Sequence, residues 1–174
     1  GAVDLSNSTL QGAILNGTRF STTADLSNAN LEGMDFLLDF EGAVTLNGAN
    51  LQGTSLNAMF GGPVSINGAN LEGADLSGLE FNGAVDLSDT NLQGVNFSGL
   101  NFQSGVDLSN SKLQGAILNG IRFGTTADFS NANLEGANLS GLDFEGAVDL
   151  EGASLAGANL TGVQATQSVD LTNA

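Results

Sequence analysis

The stretch SNANLEGANLSGLDFEGAVDL, residues 130–150, places a large apolar side chain at Leu134, Leu139, Phe144 and Leu150. Two of these steps are five residues long and the third is six. A helix repeats every 3.6 residues and a strand every two, so neither puts an apolar residue at every fifth position. The period runs the length of the chain. From Leu5, Leu10, Leu15 and Phe20 the anchors advance by 5, 5, 5 and 6 residues, a 21-residue unit written eight times, and they end at Leu150, Leu155, Leu160, Ala165 and Leu171. Two units are one residue short, at Leu37–Leu38 and at Asn57–Ala58. Repetition of this kind means a solenoid, in which no unit buries its own apolar side and neighbours must stack.

A chain that turns a corner every five residues returns each anchor to the same inward position, and stacked coils can then hydrogen-bond at about 4.8 Å. The four anchor columns differ as a stack requires. The second column is Leu throughout, and Phe fills seven of eight places in the fourth, Ala165 being the exception. Two residues before each second-column anchor the side chain is small, as at Ala29, Ala49 and Ser111. Before the Phe column it is mostly large, as at Leu79, Leu100, Ile121 and Leu142. Large beside small fills a narrow interior to native density. Corners are marked by residues that tolerate positive φ: Gly two places after every second-column anchor, and Asn, Gly or Asp after the first. The sixth residue of the long step recurs at one corner (Ala43, Pro63, Ala84, Gly105 among others) as a ridge of bulges, either an inherited insertion or a functional edge. Pro63 fits there only if that amide is not needed. Residues 1–33 and 104–136 agree at 27 of 33 positions, so a block of coils has been duplicated.

Units such as ANLEG, ADLSG, ANLSG and ANLTG resemble the A(D/N)LXX signature of the pentapeptide-repeat family, and the resemblance covers the whole chain. It implies an all-β fold: a right-handed quadrilateral parallel β-helix of about eight coils, with the anchor and the residue two before it pointing inward. Residues 1–174 are then expected to form one solenoid domain with no evident capping helix.

The composition excludes several functions. Nineteen acidic residues face three basic ones, Arg19, Lys112 and Arg122, for a net charge of −16. Phosphates need Lys and Arg, so nucleic acid and anionic membrane surfaces are not expected partners. There is no His, Cys, Trp or Tyr. The usual bases, nucleophiles and soft metal ligands are therefore missing, and no phosphate-cradling motif is present. No catalytic residue, cofactor or dedicated metal site is expected.

Two outward features are candidate contact surfaces. The first is an acidic ladder one residue before the first-column anchors: Asp4, Asp25, Asp86, Asp107, Asp128, Asp149 and Asp170, interrupted by Thr45 and Ser65. Stacking sets neighbouring carboxylates about 5 Å apart, which raises their pKa values and invites weak binding of Ca2+ or other cations. The alternative is a solvated face, and the parallel run Asn30, Asn50, Asn70, Asn91 and Asn133 reads as an amide ladder that only steadies the stack. The second feature is apolar. Ile14, Leu37 and Met59 fall on successive coils, the last two where residues are missing. They form a contact patch, or they are partly buried where a corner tightens.

A rod of eight coils would be about 40 Å long. The chain begins and stops in pattern, at GAVDL and VDLTNA. The expectation is thus a non-enzymatic structural or protein-interaction solenoid that self-associates through its coil ends or belongs to a longer repeat rod. The alternative follows from the family resemblance, some members of which are acidic rods that occupy the DNA site of DNA gyrase. A net charge of −16 over that length is of the right order beside duplex DNA, with one phosphate per about 1.7 Å.

Overall fold

A computed structural model describes all 174 residues, the side chain of Phe36 excepted. Each side of the coil is a short extended segment, and alternation along it turns the anchor and the residue two before it to the interior. A β-turn follows. At the first corner the Ser8 amide donates to the Leu5 carbonyl (3.3 Å) across Ser6–Asn7, and Asn7 has φ 56°. A positive φ at that place marks a type II turn. Asn28, Asp89, Asn110 and Asn131 repeat it at φ 56–58°, as do the glycines after the second column, Gly73 at 67° among them. Every corner residue read from the sequence carries positive φ, and Gly17, Gly99, Gly120, Gly141 and Gly162 after the third column carry it too.

Two parallel sheets result. The first stacks nine two-residue strands along the first side: β1 (Val3–Asp4), β3 (Ala24–Asp25), β5 (Val44–Thr45), β7 (Val64–Ser65), β9 (Val85–Asp86), β11 (Val106–Asp107), β13 (Ala127–Asp128), β15 (Val148–Asp149) and β17 (Val169–Asp170). The second stacks eight along the fourth side: β2 (Thr18–Phe20), β4 (Asp35–Phe40), β6 (Ser55–Phe60), β8 (Glu80–Phe81), β10 (Asn101–Phe102), β12 (Arg122–Phe123), β14 (Asp143–Phe144) and β16 (Gln164–Ala165). Register follows the repeat: Val3 faces Ala24, and across the short units Ala24 faces Val44 and Val44 faces Val64. The second and third sides are held by single bridges, such as Asn50 to Asn70 and Asp75 to Asn96.

The short units do not tighten a corner; they remove one. β4 and β6 run six residues without a bend from the third side into the fourth. Deleting one residue deletes the positive-φ position, and the freed backbone pairs along its whole length, from Asp35 opposite Ser55 to Phe40 opposite Phe60. In β6 exposed and buried residues alternate strictly.

The interior is one continuous apolar cluster. Phe20, Phe40, Phe60, Phe81, Phe102, Phe123 and Phe144 stack in a column with ring centroids 4.9–5.5 Å apart and planes within 14°. Phe129, in the first column, meets Phe123 and Phe144 edge-on. The large residues before the Phe column (Leu79, Leu100, Ile121, Leu142) are buried beside it, as are the small ones before the second from Ala29 onward. At the long corner the inserted residue contributes its carbonyl: the amides of Ala24, Val44 and Val64 donate to Ala43, Pro63 and Ala84. None of the inserted residues donates its own amide to backbone among the described residues, so Pro63 loses nothing by lacking one.

Candidate functional site

Side chains one place before the anchors turn outward on every side, and on three sides Asp or Asn there has a job in the corner. Oδ1 of Asp128 accepts the Ser130 amide (2.8 Å), Asp107 accepts that of Ser109 (2.9 Å), and Asp149 that of Glu151 (2.8 Å). Asn30 and Asn133 hold Glu32 and Glu135 in the same way on the second side, and Asp75 and Asn96 hold Ser77 and Ser98 on the third. A short side-chain oxygen two residues before the turn amide is an Asx-turn. This explains why Asp or Asn so often precedes the anchor on these three sides, a reason the sequence alone does not announce.

From Asp86 on the acidic ladder is continuous in register, Asp86 facing Asp107, Asp107 facing Asp128, and onward through Asp149 to Asp170. Asp4 faces Asp25, and Thr45 and Ser65 interrupt as expected. Each carboxylate has one oxygen committed to a turn. An upward shift in pKa was the expectation; at the two ends the shift is downward. The Ser6 hydroxyl and amide hold Asp4 below the usual carboxylate range, and the Thr172 hydroxyl and amide do so for Asp170. Hydrogen bonds to the charged form outweigh the cost of desolvating it. Among the described residues no three acidic side chains converge on a metal position. Ladder and ridge border an open groove of about 520 Å³, lined by Pro63, Ala84, Asp86, Asp107 and Thr126 among others.

The Asn run makes amide-to-amide contacts over four coils: Asn50 to Asn30 (3.5 Å), Asn70 to Asn50 (3.4 Å) and Asn91 to Asn70 (3.0 Å). Lys112 then breaks it, bridging in register between Asn91 and Asn133. The two arginines have a role that composition concealed. Arg19 reaches Asp39 (3.6 Å) and Glu41 (3.8 Å) on the next coil, and Arg122 reaches Asp143 (3.4 Å) and Glu145 (3.5 Å). Their positions in the 21-residue register were the available signal.

Of the apolar candidates, Leu37 and Met59 come together and Ile14 stands apart. Leu37 is 55% exposed on β4 and Met59 46% exposed on β6, on the surface created by the missing corner. Ile14, 89% exposed, lies on the third side of the first coil, outside the paired strands. A second apolar surface was not singled out by name in the sequence. Leu155, Leu160, Val163, Val169 and Leu171 frame an open recess of about 230 Å³ in the last coils, with Phe144 at its floor.

Family models described as pentapeptide repeats match residues 3–36 and 127–163, and a second such model matches residues 66–112, together about two thirds of the chain. No curated protein matches the sequence. Among solved structures the chain is similar to HetL, a pentapeptide repeat protein involved in heterocyst differentiation regulation in the cyanobacterium Nostoc sp.: 29% identity over 92% of this chain and 84% of that one, TM-score 0.48. It is similar to QnrB1, a plasmid-mediated fluoroquinolone resistance protein, at 20% identity over 98% and 94% of the two chains, TM-score 0.39. A pentapeptide repeat protein of the Arabidopsis thaliana thylakoid lumen shares 28% identity over 68% and 66%, TM-score 0.26. With the five-residue period, the Asx corners and the four-sided stack, the matched repeats place the chain in the pentapeptide repeat family.

Proposed function

We propose that this protein is a non-enzymatic interaction scaffold whose terminal coils pair with further coils, those of a second copy when the chain is on its own. The observation that carries the proposal is the contrast between its sides and its ends. The sides are polar and bear the net charge of −16, whereas the last coil exposes Leu160, Val169 and Leu171 around an apolar recess. The edge strands β1 and β17 also keep one set of backbone groups open to a further parallel strand. Like charge opposes side-by-side contact, and apolar ends favour contact along the axis. The absence of His and Cys and the apolar filling of the interior support a role without chemistry. Light scattering with electron microscopy across protein concentration tests it. End-to-end rods support the proposal, and a monomer at every concentration contradicts it.

A second reading, an acidic rod that binds a DNA-handling enzyme such as DNA gyrase, draws on the five-coil run of carboxylates from Asp86 to Asp170. Gyrase supercoiling assayed with the protein at micromolar concentration separates the two: neither inhibition nor protection sinks the second reading and leaves the first untouched.

A further inference from the structure

The solenoid breaks its own rule in one region, where two consecutive coils lose the third corner, and there exposed apolar side chains meet carboxylates. The outward residues of β4 are Asp35, Leu37 and Asp39, and those of β6 are Ser55, Asn57 and Met59. They pair rung by rung: Asp35 with Ser55, Leu37 with Asn57, Asp39 with Met59. Glu80 of β8 is the next rung beyond Met59. With the bend gone, these positions share one extended surface. Leu37 sits between Asp35 and Asp39, each two residues or about 6.6 Å away along the strand, and Met59 sits between Asp39 and Glu80 on adjacent rungs, each about 4.8 Å away. A recess of about 120 Å³ lies alongside, lined by Leu37, Asp39, Asn57, Met59, Gly78 and Glu80.

We propose that this surface docks an extended basic segment of another protein, with one apolar side chain seated between Leu37 and Met59 and a Lys or Arg two residues to either side against Asp35 and Asp39. An extended chain presents every second side chain to one face at about 6.6–6.8 Å, the spacing at which Asp35, Leu37 and Asp39 follow one another. Charge selects the partner. A second copy could offer only Arg19, Lys112 and Arg122, and both arginines are already held by carboxylates, so contact here between copies sets like charge on like charge. A basic segment is drawn in by the same field. The Arg19–Asp39 pair is exposed and long at 3.6 Å, an arrangement weak enough for an incoming cation to share. Asp35 and Glu80 have no ion pair among the described residues. This docking does not depend on end-to-end association.

The chain has two methionines, Met34, which is buried, and Met59, which is not, so methyl-labelled methionine gives two resonances that report on interior and patch separately. The probe is the peptide Gly-Lys-Thr-Leu-Thr-Lys-Gly, with Gly-Lys-Lys-Leu-Thr-Thr-Gly as a control of equal charge. The expected result is a saturable shift of the Met59 methyl with the spaced peptide, a still Met34 methyl, and binding at least severalfold weaker with the control. Leu37→Asn leaves the net charge unchanged and should weaken binding about tenfold, the effect of removing one seated apolar contact. Asp107→Asn with Asp128→Asn removes two charges from the ladder and should leave binding within about twofold, since exposed charges on another side are largely screened. A motionless Met59 methyl overturns the proposal. So does a Leu37→Asn variant that binds as the wild type does, or a ladder variant that loses as much binding as Leu37→Asn, because either would mean attraction to the net charge alone.

Discussion

Phe40 and Phe60 lie on successive coils with their ring planes parallel and their centroids 5.1 Å apart, one coil spacing. Each ring in the column is a neighbour's packing surface, so the column acts as one body through seven coils. Phe60 is fully buried, and the six-residue strand it ends has no corner behind it to take up a gap. Phe60→Ala should cost about 3–5 kcal/mol by denaturant unfolding, and Phe60→Leu distinctly less. A loss below about 1 kcal/mol for the alanine variant would contradict the packing described.

The acidic ladder has a structural use that does not require its charge. Asp128 needs an oxygen to hold the Ser130 amide, and the Asn side chain supplies the same oxygen. Asp128→Asn should leave stability within about 0.5 kcal/mol, while Asp128→Ala should cost about 0.5–1.5 kcal/mol by leaving the turn amide to water. Equal losses for the two would show that charge, and not the turn, is what the position conserves energy through.

Pro63 shows that the inserted residue gives a carbonyl to the stack and no amide. Ala84, its counterpart one coil on, likewise donates no backbone amide, whereas the buried Val85 next to it donates to the Gly105 carbonyl at 3.0 Å. Ala84→Pro should therefore stay within about 1 kcal/mol of the wild type in thermal unfolding, and Val85→Pro should lose about 3 kcal/mol or more.

Acid should loosen the two ends of the ladder. Asp4 and Asp170 are held below the ordinary carboxylate range by Ser6 and Thr172, so they favour the folded state above the unfolded value, near 3.9. That contribution fades as pH falls below about 4 through the lower folded value. Thermal unfolding between about pH 2 and pH 6 should show a shallower acid limb in Ser6→Ala with Thr172→Ala than in the wild type.

The five-residue period made the fold legible because the described anchors from Phe20 to Leu150 are all buried in the same inward geometry. Corner residues such as Asn28 and Gly73 were legible for the same reason, since positive φ restricts the choice of residue. The consequence of a missing residue was not. A shortened unit can tighten a bend or abolish it, and only the pairing of Leu37 with Asn57 and of Phe40 with Phe60 shows the strand running straight. Composition shows the arginines only as part of a deficit of positive charge. Their distances to Asp39 and Asp143 show each to be an exposed ion pair between coils, placed by a register that spans 20 or 21 residues and is invisible to local pattern.

The central claim, that copies of the chain meet through their ends and not side by side, is tested most directly by sedimentation velocity over a range of protein and salt concentrations, comparing the wild type with Leu160→Asp and Leu171→Asp together. Both residues are exposed in the apolar recess, so the variant should fold. The account predicts wild-type rods that lengthen with protein concentration and with salt, which screens the like-charged chains, and a variant that remains a single chain. A wild type that stays monomeric throughout, or a variant that assembles as readily, would contradict it.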